Sequence, residues 1–333
     1  MTMLEVGTTN FDQTVVALIQ KRLEELLRYP LVHLLPGNFR PAQFVKGTNN
    51  QMRFIAIKDL VPDPSTEWTS LDTPTAGTAP WLTEGTPPTA GDLAIAYENF
   101  SANQAGRLIQ ISDVAMMESP FDLLNVAAER VARDAIVTAD QRVARVLIAG
   151  TNYITANPSH ATTATVATGD LLTGAAVKRA VAILRGSSVP TFPDGTYHAI
   201  IHPYVVNDLQ QDTDVGGWID ASRYAGAEQL MTGELGRYAG VRFADSAGAG
   251  ILKAAGAGSP AIDVYSTIFF GPESYAFGDW GQITTHVTPP GGHSDPLYQS
   301  ALVGWKGFFG ATLIESAGPR YVRVESATGT VGV

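Results

Sequence analysis

The clearest hydrophobic pattern in the chain lies between Ser119 and Gly150, where apolar residues recur at helical spacing and neither glycine nor proline follows Pro120 until Gly150. Ser119 is suited to cap a first turn, Pro120 to occupy the first helical position, and Gly150 to end the helix. The pattern predicts a helix of about thirty residues, about 45 Å long. Its predicted buried face consists of Leu124, Ala127, Ala128, Val131, Ala132, Ala135, Ile136, Ala139, Val143, Val146 and Leu147.

A shorter amphipathic helix is predicted before Pro30. Val16, Ile19 and Leu23 fall on one face of it, together with Leu26. An exposed apolar face on a terminal segment needs a partner. We therefore expect Val16, Ile19 and Leu23 to make inter-subunit contacts.

Two segments, 51–60 and 93–100, alternate apolar and polar residues and are predicted to pair as antiparallel strands. About thirty residues rich in proline, threonine and glycine lie between them, and they include Trp68 and Trp81. Loops of this length are uncommon and are usually functional or disordered. Because indole rings bury large apolar areas, we expect both tryptophans to contact a neighbouring subunit. A surface insertion without such a role is an equally open interpretation.

The rest of the chain is a mixture of helix and strand patterns. A strand beginning at Gly106 leads into the long helix, and residues 168–282 alternate strands with helices, which indicates a separate α+β domain. The last part of the chain returns to strand periodicity and is expected to close a sheet against the long helix. The predicted fold class is therefore α+β.

Composition narrows the possible functions. The 333 residues are 45% apolar, enough for a large core, and 22 basic against 32 acidic residues give a formal charge of -10. This charge argues against a phosphate-binding surface. The chain has no cysteine, which excludes disulfides and thiolate sites. No signal peptide or membrane-length apolar run is present in the sequence, so we expect synthesis in the cytoplasm and no membrane contact.

Candidate catalytic chemistry is sparse. His198 and His202 are close in sequence but lack a third ligand at fixed spacing, and they are interpreted as polar residues at a strand edge. Asp212 and Asp214 resemble a fragment of a calcium loop without its closing glutamate, and are interpreted as a solvated turn. No nucleophile elbow or phosphate-binding loop is found. We therefore predict no catalytic residue, metal site or cofactor, and a protein that is not an enzyme.

Several local stretches carry a resemblance to a known family: GRLIQISD, HPYVVNDLQQD, GELGRYAGVRF and DPLYQSALVGWKGFFGATLIES. Their order, with an amphipathic arm before them, resembles the major capsid proteins of tailed bacteriophages, which have the Hong Kong 97-type capsid fold. The resemblance implies five regions: an N-terminal arm (1–50), an extended β-hairpin loop (51–107), a peripheral domain with the spine helix (108–167), an axial domain (168–282) and closing strands of the peripheral domain (283–333).

The resemblance also implies a function. Such a protein self-assembles as hexamers and pentamers into an icosahedral head that encloses double-stranded DNA without binding it specifically. Its partners would be other copies of itself, with scaffold, portal and cement proteins as further possibilities, and its location would be the virion capsid after assembly in the host bacterial cytoplasm. Three alternatives stay open: an encapsulin-like nanocompartment shell, a tail or decoration protein, and an enzyme of unrecognised type.

Overall fold

The structure is a computed structural model that describes residues 32–34, 37–43, 51–57, 85, 95–119, 122–212, 237–279, 283–288, 297, 299–314 and 320–329. It contains both helices and strands, and the chain forms two compact units. The first unit comprises residues 1–51, 100–146 and 276–312, and the second comprises residues 52–99, 147–275 and 313–333. Each unit is therefore assembled from separate stretches of the sequence.

The first sheet is built from five strands that all contribute to the first unit. They are β1 (Arg40–Gln43), β4 (Asn103–Ser112), β11 (Tyr275–Asp279), β12 (Thr284–Thr288) and β13 (Ser300–Leu313). The strand order is β1-β11-β13-β12, and β4 also pairs with β13. The β4 pairing is antiparallel over ten residue pairs, from Ser300 opposite Ser112 to Phe309 opposite Asn103. This long strand pair is the frame on which the helices pack.

Two helices follow β4 in the sequence, α1 (Asp113–Glu118) and the long helix α2 (Leu123–Ala149). The prediction of one long helix is confirmed. Its buried face is the predicted one, except that Leu124 and Val146 are only half-buried and that Ala144 is buried as well. The buried residues of the helix from Ala127 to Ala139 form the core of the first unit together with Ile111, Val287, Val303, Trp305 and Phe309. Alanine at positions 128, 132 and 135 is fully buried, which allows the helix to approach the sheet closely.

The predicted first helical residue, Pro120, precedes the observed one, Leu123, by three residues. Ser119 is instead the C-cap of α1, with extended backbone angles and its N–H bonded to the Ala115 carbonyl. The side chain of Asp122 accepts hydrogen bonds from the amides of Leu124 and Asn125 at the start of α2. Aspartate is as good a cap as serine, so helix-start preferences do not favour Ser119 over Asp122.

The predicted end of the helix is confirmed, because the last helical residue is Ala149 and Gly150 follows it. The structure adds a second reason for glycine at this position. A Cβ on Gly150 would lie 1.7 Å from the hydroxyl oxygen of Tyr321, which is fully buried. Any side chain at position 150 would displace that ring.

The second unit contains a seven-stranded sheet with order β5-β14-β10-β6-β8-β7, and β9 also pairs with β10. Its strands are β5 (Tyr153–Thr155), β6 (Tyr197–Ile201), β7 (Arg237–Tyr238), β8 (Val241–Asp245), β9 (Ile251–Leu252), β10 (Val264–Phe270) and β14 (Tyr321–Ser326). The helices α3 (Gly174–Gly186) and α4 (Pro203–Gln210) supply apolar residues to its core. The closing residues 283–333 are therefore divided, with β13 in the first sheet and β14 in the second.

Candidate functional site

The five residues predicted to make inter-subunit contacts, Val16, Ile19, Leu23, Trp68 and Trp81, lie outside the described residues. Their contacts stay predictions.

The base of the extended loop is described. β2 (Gln51–Ile57) pairs with β3 (Ile95–Ser101) in a separate two-stranded sheet, so the predicted pairing of these segments is confirmed. Phe54 and Phe100 are buried, whereas Ile55 and Ile95 are 60% and 46% exposed. One residue, Ala102, separates β3 from β4. The chain therefore runs from the base of the loop almost directly into β4, the strand that pairs with β13.

The first sheet has one covered face and one open face. Residues of β12 alternate between exposed and buried, and Val287 faces the core while His286 is exposed. On β4, Leu108 is 59% exposed. A shallow groove on the open face is lined by Gly106, Leu108, His286, Gly304 and Lys306. This open face is the first surface available to a partner.

The outer face of α2 is the second available surface. Val126, Arg130, Arg133, Val137, Gln141 and Arg145 are all exposed and recur every third or fourth residue, so they form a stripe along one side of the helix. We call these six residues the α2 stripe.

Asp134, next to this stripe, holds the long helix to the sheet. Its carboxylate accepts a hydrogen bond from the Trp305 indole Nε1 at 2.8 Å and lies 3.2 Å from a guanidinium nitrogen of Arg107. Trp305 is on β13 and Arg107 is on β4, so one carboxylate joins two strands to the helix. Helical periodicity alone does not reveal which charged residue of a helix turns back towards a sheet.

A second carboxylate of α2, that of Asp140, binds His33. Asp140 accepts hydrogen bonds from the His33 backbone N–H at 3.1 Å and from its ring Nδ1 at 2.8 Å. The His33 side chain is fully buried. His33 and Asp140 are 107 residues apart in the sequence, so no local sequence pattern predicts this pair.

His198 and His202 have separate structural roles. The His198 ring stacks on Phe192 with centroids 3.9 Å apart and lies 3.5 Å from Asp194. His202 is the N-cap of α4, where its Nδ1 accepts from the Tyr204 N–H at 3.2 Å. Burial is the main cause that lowers the pKa of each ring, and it favours the neutral forms at neutral pH. The interpretation of both as strand-edge residues needs correction for His202, which begins a helix.

Asp212 is likewise a capping residue and not part of a solvated turn. Its Oδ2 accepts a hydrogen bond of 2.6 Å from the Gly174 N–H at the start of α3. Asp214 lies outside the described residues. Over the described residues, no group of three or more histidine or acidic side chains is arranged to hold a metal ion.

Several charged side chains of the described residues, among them Asp134, Asp140 and Asp212, fix helices and strands. The helix α2 and the first sheet each also have an extended exposed surface. No helix in the described part of the chain is both long and apolar enough to span a membrane.

Comparison with known proteins identifies the family. A family model described as phage capsid protein matches residues 95–287, more than half of the chain. The chain belongs to this phage capsid family, and it is a major capsid protein that forms the head shell. No curated protein sequence matches the chain.

Solved phage capsids have the same fold at low sequence identity. The capsid of Ralstonia phage GP4 aligns with a TM-score of 0.65 and 11% identity over 89% of this chain and 88% of that one. The capsid of cyanophage P-SCSP1u gives 0.58 and 14% over 87% of each chain. The acid-stable capsid of the Helicobacter pylori bacteriophage KHP30 gives 0.58 and 11% over 85% of this chain and 86% of that one. The α+β capsid fold expected from the sequence is confirmed.

Proposed function

We propose that this major capsid protein assembles as hexamers and pentamers into an icosahedral head that encloses double-stranded DNA. The family match over residues 95–287 carries the proposal. Two open surfaces on the first unit support it, because a subunit of a closed shell must contact several neighbours at once, which one small patch does not allow.

The division into regions is part of this proposal. Residues 1–50 act as an arm, 51–107 as an extended loop, 108–167 and 283–333 as the peripheral domain, and 168–282 as the axial domain. The arm and the loop reach neighbouring subunits through Val16, Ile19, Leu23, Trp68 and Trp81. The core of the first unit supports the peripheral assignment, since α2 packs there on a sheet that includes β12 and β13.

The proposed partners follow from the same assembly. Scaffold, portal and cement proteins contact the shell, and DNA contacts it without sequence-specific binding. The formal charge of -10 supports the last point, because an acidic wall does not hold phosphates by counterion release. Assembly takes place in the host bacterial cytoplasm, and the shell performs no catalysis of its own.

Electron microscopy of the purified full chain tests the proposal. We expect closed particles that co-sediment as one species, alone or when the protein is expressed with its neighbouring phage products. Tubes, or small rings that never close, would contradict it. Particles that purify with a protein cargo and never take up DNA during phage growth would indicate a nanocompartment instead.

A further inference from the structure

The described residues between 32 and 43, which belong to the proposed arm, are docked on the first unit. Leu34 packs against the core that α2 and the first sheet form. The ring of Phe39 meets the ring of Phe277 edge-on with centroids 6.0 Å apart, and β1 pairs in parallel with β11. The length of arm that precedes this docked segment is 31 residues.

A pair of polar residues attaches this segment to the long helix. One oxygen of the Asp140 carboxylate accepts a hydrogen bond from the His33 backbone N–H at 3.1 Å, and the other accepts one from the ring Nδ1 at 2.8 Å. The His33 side chain is fully buried, and that of Asp140 is 13% exposed. Both oxygens of one helix residue are thus bonded to one residue of the segment. We call His33 and Asp140 the arm anchor.

The arm anchor selects one register of the segment on α2. The sequence neighbours of His33 are Val32 and Leu34, so a shift by one residue would bring an aliphatic side chain to the Asp140 carboxylate. A carboxylate that is largely buried and loses its donors is strongly unfavourable. An aliphatic residue at position 33 would pack against α2 without opposing such a shift. The polar pair therefore specifies where the segment lies.

The apolar face predicted for the arm starts a short distance before the anchor. Three residue steps separate Pro30, where the predicted helix ends, from His33, and they span at most about 10 Å. As a helix, the stretch from Val16 to Pro30 would measure about 21 Å. Val16, Ile19 and Leu23 then lie no more than about 31 Å from the anchor. A shift of the anchored segment would displace this face as well.

We propose that the arm anchor positions the N-terminal arm for its contact with a second copy. His33 and Asp140 are positioning residues, because they act through the arm and fix the place from which it leaves the first unit. This inference rests on the proposed self-assembly and adds the residues that prepare one contact within the subunit.

Two amide substitutions test the hydrogen bond of the ring. In His33→Asn the side-chain nitrogen is as many bonds from Cα as Nδ1 is, so it can donate to Asp140, whereas in His33→Gln it is one bond further away. We expect His33→Asn to assemble at a critical concentration within threefold of that of the parent. His33→Gln and Asp140→Ala should raise it at least tenfold. Light scattering measures it under the conditions in which the parent forms particles.

A double-variant cycle distinguishes positioning from a general loss of stability. Ile19→Ala weakens the apolar face of the arm directly. If the anchor acts through the arm, His33→Gln combined with Ile19→Ala should have a critical concentration within twofold of that of the more impaired single variant. Effects that multiply would show that the anchor and the arm act independently, which would overturn the proposal.

Hydrogen exchange of the unassembled chain tests the anchor without particles. In Asp140→Ala we expect the His33 amide to exchange at least tenfold faster, while amides of α2 between Ala127 and Ala139 change less than threefold. Equal exchange of the His33 amide in both proteins would overturn the proposal, and so would normal assembly of His33→Gln or an equal defect in His33→Asn. A parent that forms no particles while its His33 amide is protected by Asp140 would contradict the proposed function and leave the anchor supported.

Discussion

The two larger sheets differ in how much of their strands is buried. In the second unit every residue of the central strands β10 and β14 is buried, including polar ones. In the first unit β12 alternates between exposed and buried residues, and most of β4 is exposed. The centre of the second sheet is therefore covered on both faces, whereas the first sheet leaves one face of these strands exposed.

The buried strand β14 contains two charged residues that pair with each other. Arg323 and Glu325 lie on the same face of the strand, are 7% and 0% exposed, and form an ion pair of 2.8 Å. The guanidinium also lies 5.0 Å from the Tyr153 ring centroid. A buried charge needs such a partner, whereas Lys306 on the exposed face of β13 meets solvent.

The largest expected effect is on the covered face of the first sheet. Val131 is 1% exposed in the core between α2 and the sheet. Val131→Asp would bury an unpaired carboxylate there and should lower the free energy of unfolding by about 5 kcal/mol. Urea denaturation followed by tryptophan fluorescence measures this change. Arg133→Gln, on the exposed side, should change it by less than about 0.5 kcal/mol, and equal midpoints for Val131→Asp and the parent would mean that the face is assigned wrongly.

A slightly smaller effect is expected inside the second sheet. Arg323→Met leaves Glu325 buried without its partner and should cost about 4 kcal/mol. The double variant Arg323→Met, Glu325→Met removes both charges and should recover most of that loss, since paired apolar residues replace buried ion pairs well. Denaturant unfolding of the parent, of the single variants Arg323→Met and Glu325→Met, and of the double variant gives the coupling energy. Additive effects of the two substitutions would show that the pair is not coupled.

A pH-dependent effect of moderate size is expected at Asp170. Burial opposes ionisation of this carboxyl group, but hydrogen bonds from the Ala167 N–H at 2.7 Å, from Asn157 at 2.9 Å and from His160 outweigh it and lower its pKa. A lowered folded-state pKa stabilises the protein above the unfolded value of 3.8, and this contribution is lost as the pH falls below it.

Asp170→Asn should therefore be less stable than the parent at pH 7, and the difference should shrink as the pH falls below the unfolded-state value of 3.8. Thermal unfolding midpoints at pH 7 and at a series of acidic pH values measure it. A difference that stays constant with pH would mean that the carboxylate charge contributes nothing. Asn157→Ala should weaken the same network but leave the acid dependence in place, because the titrating group remains.

The smallest effect on folding is expected on the open face of the first sheet. Leu108 is 59% exposed on β4, so Leu108→Ser should change the free energy of unfolding by no more than about 0.5 kcal/mol. If the open face contacts a neighbour, particle yield on a sucrose gradient should fall much more than stability does. If Leu108→Ser changes neither the particle yield nor the stability, the open face around Leu108 makes no contact that assembly needs.

Local patterns in the sequence were sufficient to predict several elements. The buried positions of the long helix, the pairing of segments 51–60 and 93–100, and the α+β class follow from periodicities of 3.6 and 2 residues. The end of the helix at Gly150 was also predicted, whereas the predicted cap Ser119 was wrong because Asp122 takes that role. The capsid family followed from the order of these elements and of four short motifs.

The tertiary structure decided which charges are structural and which are exposed. Asp134 and Arg130 have the same helical context in the sequence, yet Asp134 turns to Trp305 and Arg107 while Arg130 stays on the stripe. It also decided that β13 and β14 belong to different sheets. Periodicity records only which face of an element is apolar. The contacts of Asp134 with Trp305 and of Asp140 with His33, and the pairing of β4 with β13, involve residues more than a hundred positions away.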